Sequence, residues 1–234
     1  GTTLLGEVEV AVTSTNSKVV SFTGLEVSMA KDVTKTFTVK AVVEKDFTEG
    51  KYLKATLLKV AGEDENENSK DTGTTPLNIA ARKLYIYKVA PEVSLQSAGV
   101  NKVAKNAYEV TLTLKVVARG DNVYLKKGTN SGDWLGVTKV GGGSPPTPVY
   151  AVVTASGAEE VGEYFKVLKD QTASITLKVR IDPAATADSG YYNVLVENID
   201  WRGEGATSDT DWSGTNHWAL KELKLENISI VYES

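Results

Sequence analysis

Val110-Thr111-Leu112-Thr113-Leu114-Lys115-Val116 places an apolar side chain at every second residue, with Thr or Lys between. A period of two puts Val110, Leu112, Leu114 and Val116 on one face of a pleated strand and leaves the other face to water. The same rhythm returns on both sides of this stretch, at Val8, Val10 and Val12, at Phe37, Val39, Ala41 and Val43, and at Ile175, Leu177, Val179 and Ile181. Near the C-terminus Leu223 and Leu225 fall out of phase at Asn227 before Ile228, Ile230 and Tyr232, which predicts a β-bulge or bend. Helical spacing is short-lived: the best windows, Thr75 to Arg82 and Asn216 to Leu223, hold about two turns each. The expected class is all-β, with antiparallel strands that keep one wet face.

Composition sets the outer limits. A chain of 234 residues has length for two compact units at about 100 to 200 residues each. A net charge of −4, with 41% hydrophobic and 24% charged residues, is an ordinary globular balance without the basic excess of a nucleic-acid binder. The cysteine count of 0 removes disulfides, thiolate nucleophiles and cysteine metal sites, and the single histidine, His217, removes sites that need two. Apolar runs such as Val149 to Val153 and Val116 to Ala118 are too short to cross about 30 Å of hydrocarbon, so no membrane span is expected. The first residue is Gly1 and no charged-then-apolar leader follows, so any signal peptide is expected to have been removed or to lie outside this sequence.

A weak internal repeat organises the rest. Thr36 to Val43 lines up with Ser174 to Ile181, and each is followed by a turn and a Gly-x-Tyr, Gly50-Lys51-Tyr52 or Gly190-Tyr191-Tyr192. Glu7 to Gly24 likewise resembles Thr111 to Gly128, and closing strands are expected at Lys83 to Lys88 and Asn227 to Glu233. A shared order of motifs predicts two copies of one domain, with the boundary at Val89-Ala90-Pro91, where proline interrupts strand pairing. The expected domains are residues 1–90 and a larger 91–234 with long loops, each a β-sandwich. Those loops are Gly62 to Thr75, Gly128 to Pro148 (with Gly141-Gly142-Gly143-Ser144-Pro145-Pro146) and Asp200 to Asn216. Long irregular segments carry binding or assembly surfaces or are solvated decoration. The expected cores are Val8, Val10, Phe37, Val39 and Tyr52 in the first copy, and Leu112, Leu114, Ile175, Leu177 and Tyr192 in the second. The second copy has an extra opening strand, Pro91 to Ala107, that the first lacks. A sandwich short of an edge strand either has lost a preceding part of a longer chain or invites strand addition by another copy; self-association is the expected partnership, with Gly1 to Leu5 or Ile228 to Tyr232 as donor.

Asp188-Ser189-Gly190-Tyr191-Tyr192-Asn193-Val194 resembles the Asp-x-Gly-x-Tyr-x-Cys segment of immunoglobulin-like domains, with Val194 at the cysteine position. The first copy keeps Gly50 and Tyr52 and has Lys54 at that position. With its tandem strands rich in Thr, Val and Lys, the chain resembles the Ig-like modules of large bacterial or archaeal surface-layer and adhesin proteins. The resemblance implies two tandem Ig-like antiparallel β-sandwich domains, with Gly50, Tyr52, Asp188, Gly190 and Tyr192 as structural residues. It also implies a cell-surface or extracellular location and a non-enzymatic protein that assembles into a layer, stalk or filament.

Candidate chemistry is confined to the loops. Glu63, Asp64, Glu65 and Asp71 concentrate oxygen ligands of the kind Ca²⁺ takes, although the spacing is not that of an EF-hand; a solvated acidic loop is the alternative. Asp133-Trp134, Asp200-Trp201 and Asp211-Trp212 place a flat aromatic beside a carboxylate, a pair suited to stacking on a sugar ring and bonding its hydroxyls. They make a glycan-binding adhesin the alternative function; tryptophans that plug loops onto a sandwich are the competing reading. No carboxylate pair is singled out as an acid and base, and Gly141-Gly142-Gly143 lacks the Lys-Ser/Thr of a phosphate loop, so no catalytic residue is assigned and no enzyme is expected. Asn227-Ile228-Ser229 is an N-glycosylation sequon inside an expected strand.

Overall fold

The computed structural model describes residues 5–8, 18–42, 50–72, 77–81, 84–213 and 218–234, with 218 and 219 by backbone alone. It is all-β, and its compact units are Gly1–Lys51 and Tyr52–Ser234.

The described residues of the first unit form no strand ladder. Val8, Phe37 and Val39, expected in a core, are 46%, 52% and 74% exposed. Alternation supplies the side-chain pattern of a strand, but a strand also needs a neighbour for its backbone groups, and residues 36–42 have none among the described residues. Val10 and Val43 lie outside the described residues, as does His217.

The second unit begins with a two-stranded ribbon. β1 (Tyr52–Leu53), β2 (Thr56–Leu57) and β3 (Ala61–Glu63) pair in nested order with β6 (Leu84–Tyr85), β5 (Ile79–Ala80) and β4 (Ser69–Asp71). Ile79 and Ala80 therefore sit in a strand and not in the short helix considered for Thr75 to Arg82. Tyr52 pairs with Tyr85 across the ribbon and remains 46% exposed.

From residue 90 onward the chain is a β-sandwich. One layer has the order β7 (Ala90–Ala104), β8 (Ala107–Arg119), β15 (Thr172–Ile181), with β11 (Val149–Tyr150) and β12 (Thr154–Ser156) both on the far edge of β15. The opposite layer is made of two sheets in succession. The first is β10 (Leu135–Lys139), β16 (Gly190–Val196) and β19 (Lys224–Ile230). The second is β13 (Glu159–Val161), β14 (Tyr164–Val167), β9 (Val123–Lys126), β17 (Asn198–Gly203) and β18 (Thr210–Ser213).

One hydrophobic cluster lies between the layers. Val110, Leu112, Leu114 and Val116 from β8 and Ile175, Leu177, Val179 and Ile181 from β15 are fully buried, as alternation requires. They meet Leu125, Phe165, Tyr192, Val194 and Ile230 from the other layer. Each such side chain contributes roughly 1.5–3 kcal/mol on burial, which fixes the register because a one-residue slip would turn the whole set outward.

The phase slip near the C-terminus is a β-bulge: Tyr192 pairs with Ile228 but Val194 pairs with Leu225. Asn227 adopts φ 54° there, and its N–H donates to the Asn193 side-chain oxygen at 2.9 Å. Asparagine tolerates the left-handed region better than most residues, so the bulge falls on it. Gly120, in the turn after β8, has φ 85°, and a Cβ there would lie 1.9 Å from the Lys88 carbonyl oxygen. Among the described residues no helix is long and apolar enough to cross a membrane.

Candidate ligand-binding face

The outer face of the β13-β14-β9-β17-β18 sheet is decided by the same alternation that builds the core. In Val123-Tyr124-Leu125-Lys126 and Tyr164-Phe165-Lys166-Val167 the aliphatic residues and Phe165 are buried, so Tyr124, Lys126, Tyr164 and Lys166 point outward. Arg202 joins them from β17, directly across from Tyr124. Its guanidinium lies 4.2 Å from the Tyr164 ring centroid and 5.7 Å from that of Tyr124, a cation held over two π faces.

Carboxylates complete the network. The Tyr124 hydroxyl donates to Glu204 at 2.8 Å, and Asn122 donates to the same carboxylate at 2.9 Å. These two bonds, Asn122 first, and the nearby Lys166 ammonium hold the Glu204 carboxyl below the usual range. The Tyr164 hydroxyl donates to Asp209 at 3.0 Å, and Lys126 lies 3.3 Å from that carboxylate. The Lys126 ammonium is pushed up by its bond to Asp209 and the charge beside it. The Tyr164 phenol is pushed up mainly by burial and then by Asp209.

This network runs into a groove of about 640 Å³ through Lys126 and Asp200, with Thr129, Asp133, Glu163 and Asn198 among its walls. Three of the expected ligand residues, Asp133, Trp134 and Asp200, therefore border one space. Their chemistry differs from the expectation. Trp134, Trp201 and Trp212 are 2%, 3% and 6% exposed, so their ring faces are covered by protein. The reason is again the pleat: Asp200-Trp201 and Asp211-Trp212 lie in strands, where adjacent residues point to opposite faces. Tryptophan goes to the core and aspartate to the surface, and the two members of each pair cannot stack on and bond one sugar together.

Inside, Trp201 and Trp212 pack edge to face at 5.3 Å, and Tyr87 meets Trp201 at the same separation. Outside, Asp200 and Asp211 are cross-strand neighbours, and Asn198 donates to Asp200 at 3.2 Å. Asp133 closes its own loop. It accepts from the Thr129 N–H at 2.5 Å, the Thr129 hydroxyl at 2.9 Å and the Asn130 N–H at 3.4 Å. The backbone and side-chain bonds from Thr129 hold its carboxyl low. Trp134 donates its indole N–H to the Lys127 carbonyl at 3.2 Å, which seats the same loop on the core.

The acidic stretch forms the tip of the ribbon. Asp64 accepts from the backbone N–H groups of Asn66 and Asn68, each at 3.0 Å, so the turn itself uses the carboxylate. Asp71 pairs with Lys59 at 2.5 Å. Glu63 closes β3 and Glu65 lies in the turn that follows, both exposed. Among the described residues no group of three or more His, Cys, Asp or Glu converges as metal ligands.

The residues singled out as structural are also placed. Tyr192 is fully buried and its hydroxyl donates to the Asp188 carbonyl oxygen at 2.5 Å. The Asp188 carboxylate accepts from the Ala184 and Ala185 N–H groups at 2.8 and 3.0 Å, holding the 3₁₀ turn Thr186–Asp188. Gly190 has φ 154°, with the Lys139 side chain where a Cβ would point, and Gly50 takes φ 75° in its turn. Tyr124, Tyr164 and Arg202 were not among the sequence candidates; the signal for them was the strict alternation of short four-residue strands. No family model, curated protein or solved structure matches the chain.

Proposed function

We propose that this chain is a non-enzymatic structural protein of the cell surface or extracellular space, whose sandwich is an Ig-like module and which associates with copies of itself by strand addition. The observation that carries the reading is β7, a 15-residue strand at the edge of its layer whose one partner strand among the described residues is β8. An edge of that length is a template for another strand unless it is covered.

The Ig-like assignment rests on two features. The spatial order β7-β8-β15-β11/β12 against β19-β16-β10 corresponds to strands A-B-E-D facing G-F-C. Tyr192 ties its strand to the Asp188 carbonyl as a tyrosine corner does, and Val194, fully buried, stands where those domains carry cysteine. The departure is the β13-β14 hairpin, which joins β9 after β11 and β12 in the chain rather than before them.

Light scattering over a concentration series tests the proposal: mass should rise with concentration, and a constant monomer mass would contradict it.

A second reading, glycan binding, is favoured by the groove beside Lys126 and Asp200 and by the Tyr124 and Tyr164 rings, and not by the tryptophans. Electrophoresis through gels containing neutral or acidic polysaccharides tests it. Retardation lost in Tyr124→Ala and Tyr164→Ala would support the site, and unchanged mobility in every gel would remove it.

A further inference from the structure

The β7 edge has an order in it that a merely uncovered strand would not need. Opposite β8 it pairs Val93 with Val116, Leu95 with Leu114, Ala98 with Leu112 and Val100 with Val110. All four of those partners are core residues; Val93, Leu95 and Ala98 pack against the core, and Val100 lies on the same side of the pleat but is 40% exposed. The four are not evenly spaced, because the register shifts between Leu95 and Ser97. That bulge has a geometric consequence: the inward set becomes symmetric about the Gln96–Ser97 bond.

We infer that two copies join through β7 as an antiparallel pair around a two-fold axis at Gln96–Ser97, making one continuous sheet across the dimer. In this register Val93 faces Val100 of the second copy and Leu95 faces its Ala98, a large residue against a small one. Inward residues meet inward residues, which a continuous core face requires. Shifting the register by one residue would set the core face of one copy against the wet face of the other.

Outward positions fit as well. Ser94 falls opposite Gly99, Gln96 opposite Ser97 and Glu92 opposite Asn101, so no like charges meet. Glu92 and Lys102, near the two ends of the strand, are each paired within their own chain, with Arg119 and Glu233, so neither end carries an unpaired charge into the contact. Gly99 has open space on its Cβ side, with nothing within 4 Å. A two-fold contact of this kind is isologous and closes on itself, so a layer or filament needs a further contact elsewhere.

The inference rests on the self-association reading and names its edge and register. Sedimentation equilibrium of the full chain and two double variants tests it. Ser94→Glu with Gly99→Glu puts like charges opposite each other twice in every dimer and should lower the dimer association constant at least tenfold. Ser94→Glu with Gly99→Lys restores opposite charges and should bring association back, which misfolding would not allow. If the wild type associates and the double-Glu variant associates equally well, the β7 register is overturned while self-association stands. If the wild type remains monomeric at every concentration, the self-association reading falls and this inference with it.

Discussion

Tyr192 and Asp188 lie four residues apart and are joined twice over: the tyrosine hydroxyl donates to the Asp188 carbonyl, and the Asp188 side chain holds the turn that presents that carbonyl. Tyr192→Phe keeps the buried ring and removes one bond, so a loss of about 1 kcal/mol is expected. Urea denaturation measures it. Tyr192→Ala also empties the core around Ile175 and Val194, and about 3–5 kcal/mol is expected.

Neighbours in sequence should behave oppositely at β17. Trp201→Ala removes a buried ring from the Tyr87 and Trp212 cluster and should cost about 3–5 kcal/mol. Asp200→Ala, one residue earlier but facing solvent, should stay within about 0.5 kcal/mol. Denaturation midpoints of the two variants distinguish pleat-directed burial from a paired Asp-Trp ligand site.

Asp133 makes stability depend on acid. Its folded-state pKa lies below the unfolded value, chiefly because of the Thr129 bonds, so its contribution is present above the unfolded carboxylate range, about pH 4, and is lost as pH falls through the folded value. Asp133→Asn should melt lower than wild type at neutral pH and match it in strong acid. A difference that is constant with pH would show that Asp133 contributes no titrating interaction.

The bulge at Asn227 offers a conformational test. Asn227→Gly, free to adopt φ 54°, should change stability little, whereas Asn227→Val should cost about 1–2 kcal/mol, because a β-branched side chain is strained in the left-handed region that asparagine tolerates. Thermal melts of both variants measure the gap.

At the acidic ribbon tip, Asp64 already accepts from Asn66 and Asn68, and millimolar Ca²⁺ is expected to leave the melting temperature unchanged. A rise reversed by chelator would establish a metal site at Glu63, Asp64, Glu65 and Asp71 by mass action.

Where two neighbours sandwich a strand, sequence and structure agree closely. The Val110 to Val116 and Ile175 to Ile181 sets are buried to the last residue, and the phase slip at Asn227 is the bulge itself. The same alternation at Phe37 and Val39 carried no information about whether a partner strand lies alongside, because periodicity records side-chain direction and not pairing. The Asp-Trp pairs were misleading for a related reason. Adjacency in sequence looks like proximity in function, but in an extended chain it means opposite faces. Tyr124 and Tyr164 were legible only with the strand phase fixed, since four residues are too few to announce a period alone. The bulge that makes β7 symmetric about Gln96–Ser97 shows in the sequence only as the two-residue gap between Leu95 and Ala98, the same phase slip as at Asn227.

The absence of native cysteine allows β7 pairing to be read as a covalent product. A Ser94→Cys chain is mixed with a Gly99→Cys chain under mild oxidation and the products are weighed by mass spectrometry. Opposed cross-strand Cβ atoms lie about 5 Å apart, within easy adjustment of disulfide geometry, while two copies of the same site lie about 17 Å apart along the ladder. The expected result is a mixed dimer in clear excess over either homodimer. Absence of covalent dimer, or mixed and like pairs in statistical proportion, would contradict assembly through β7.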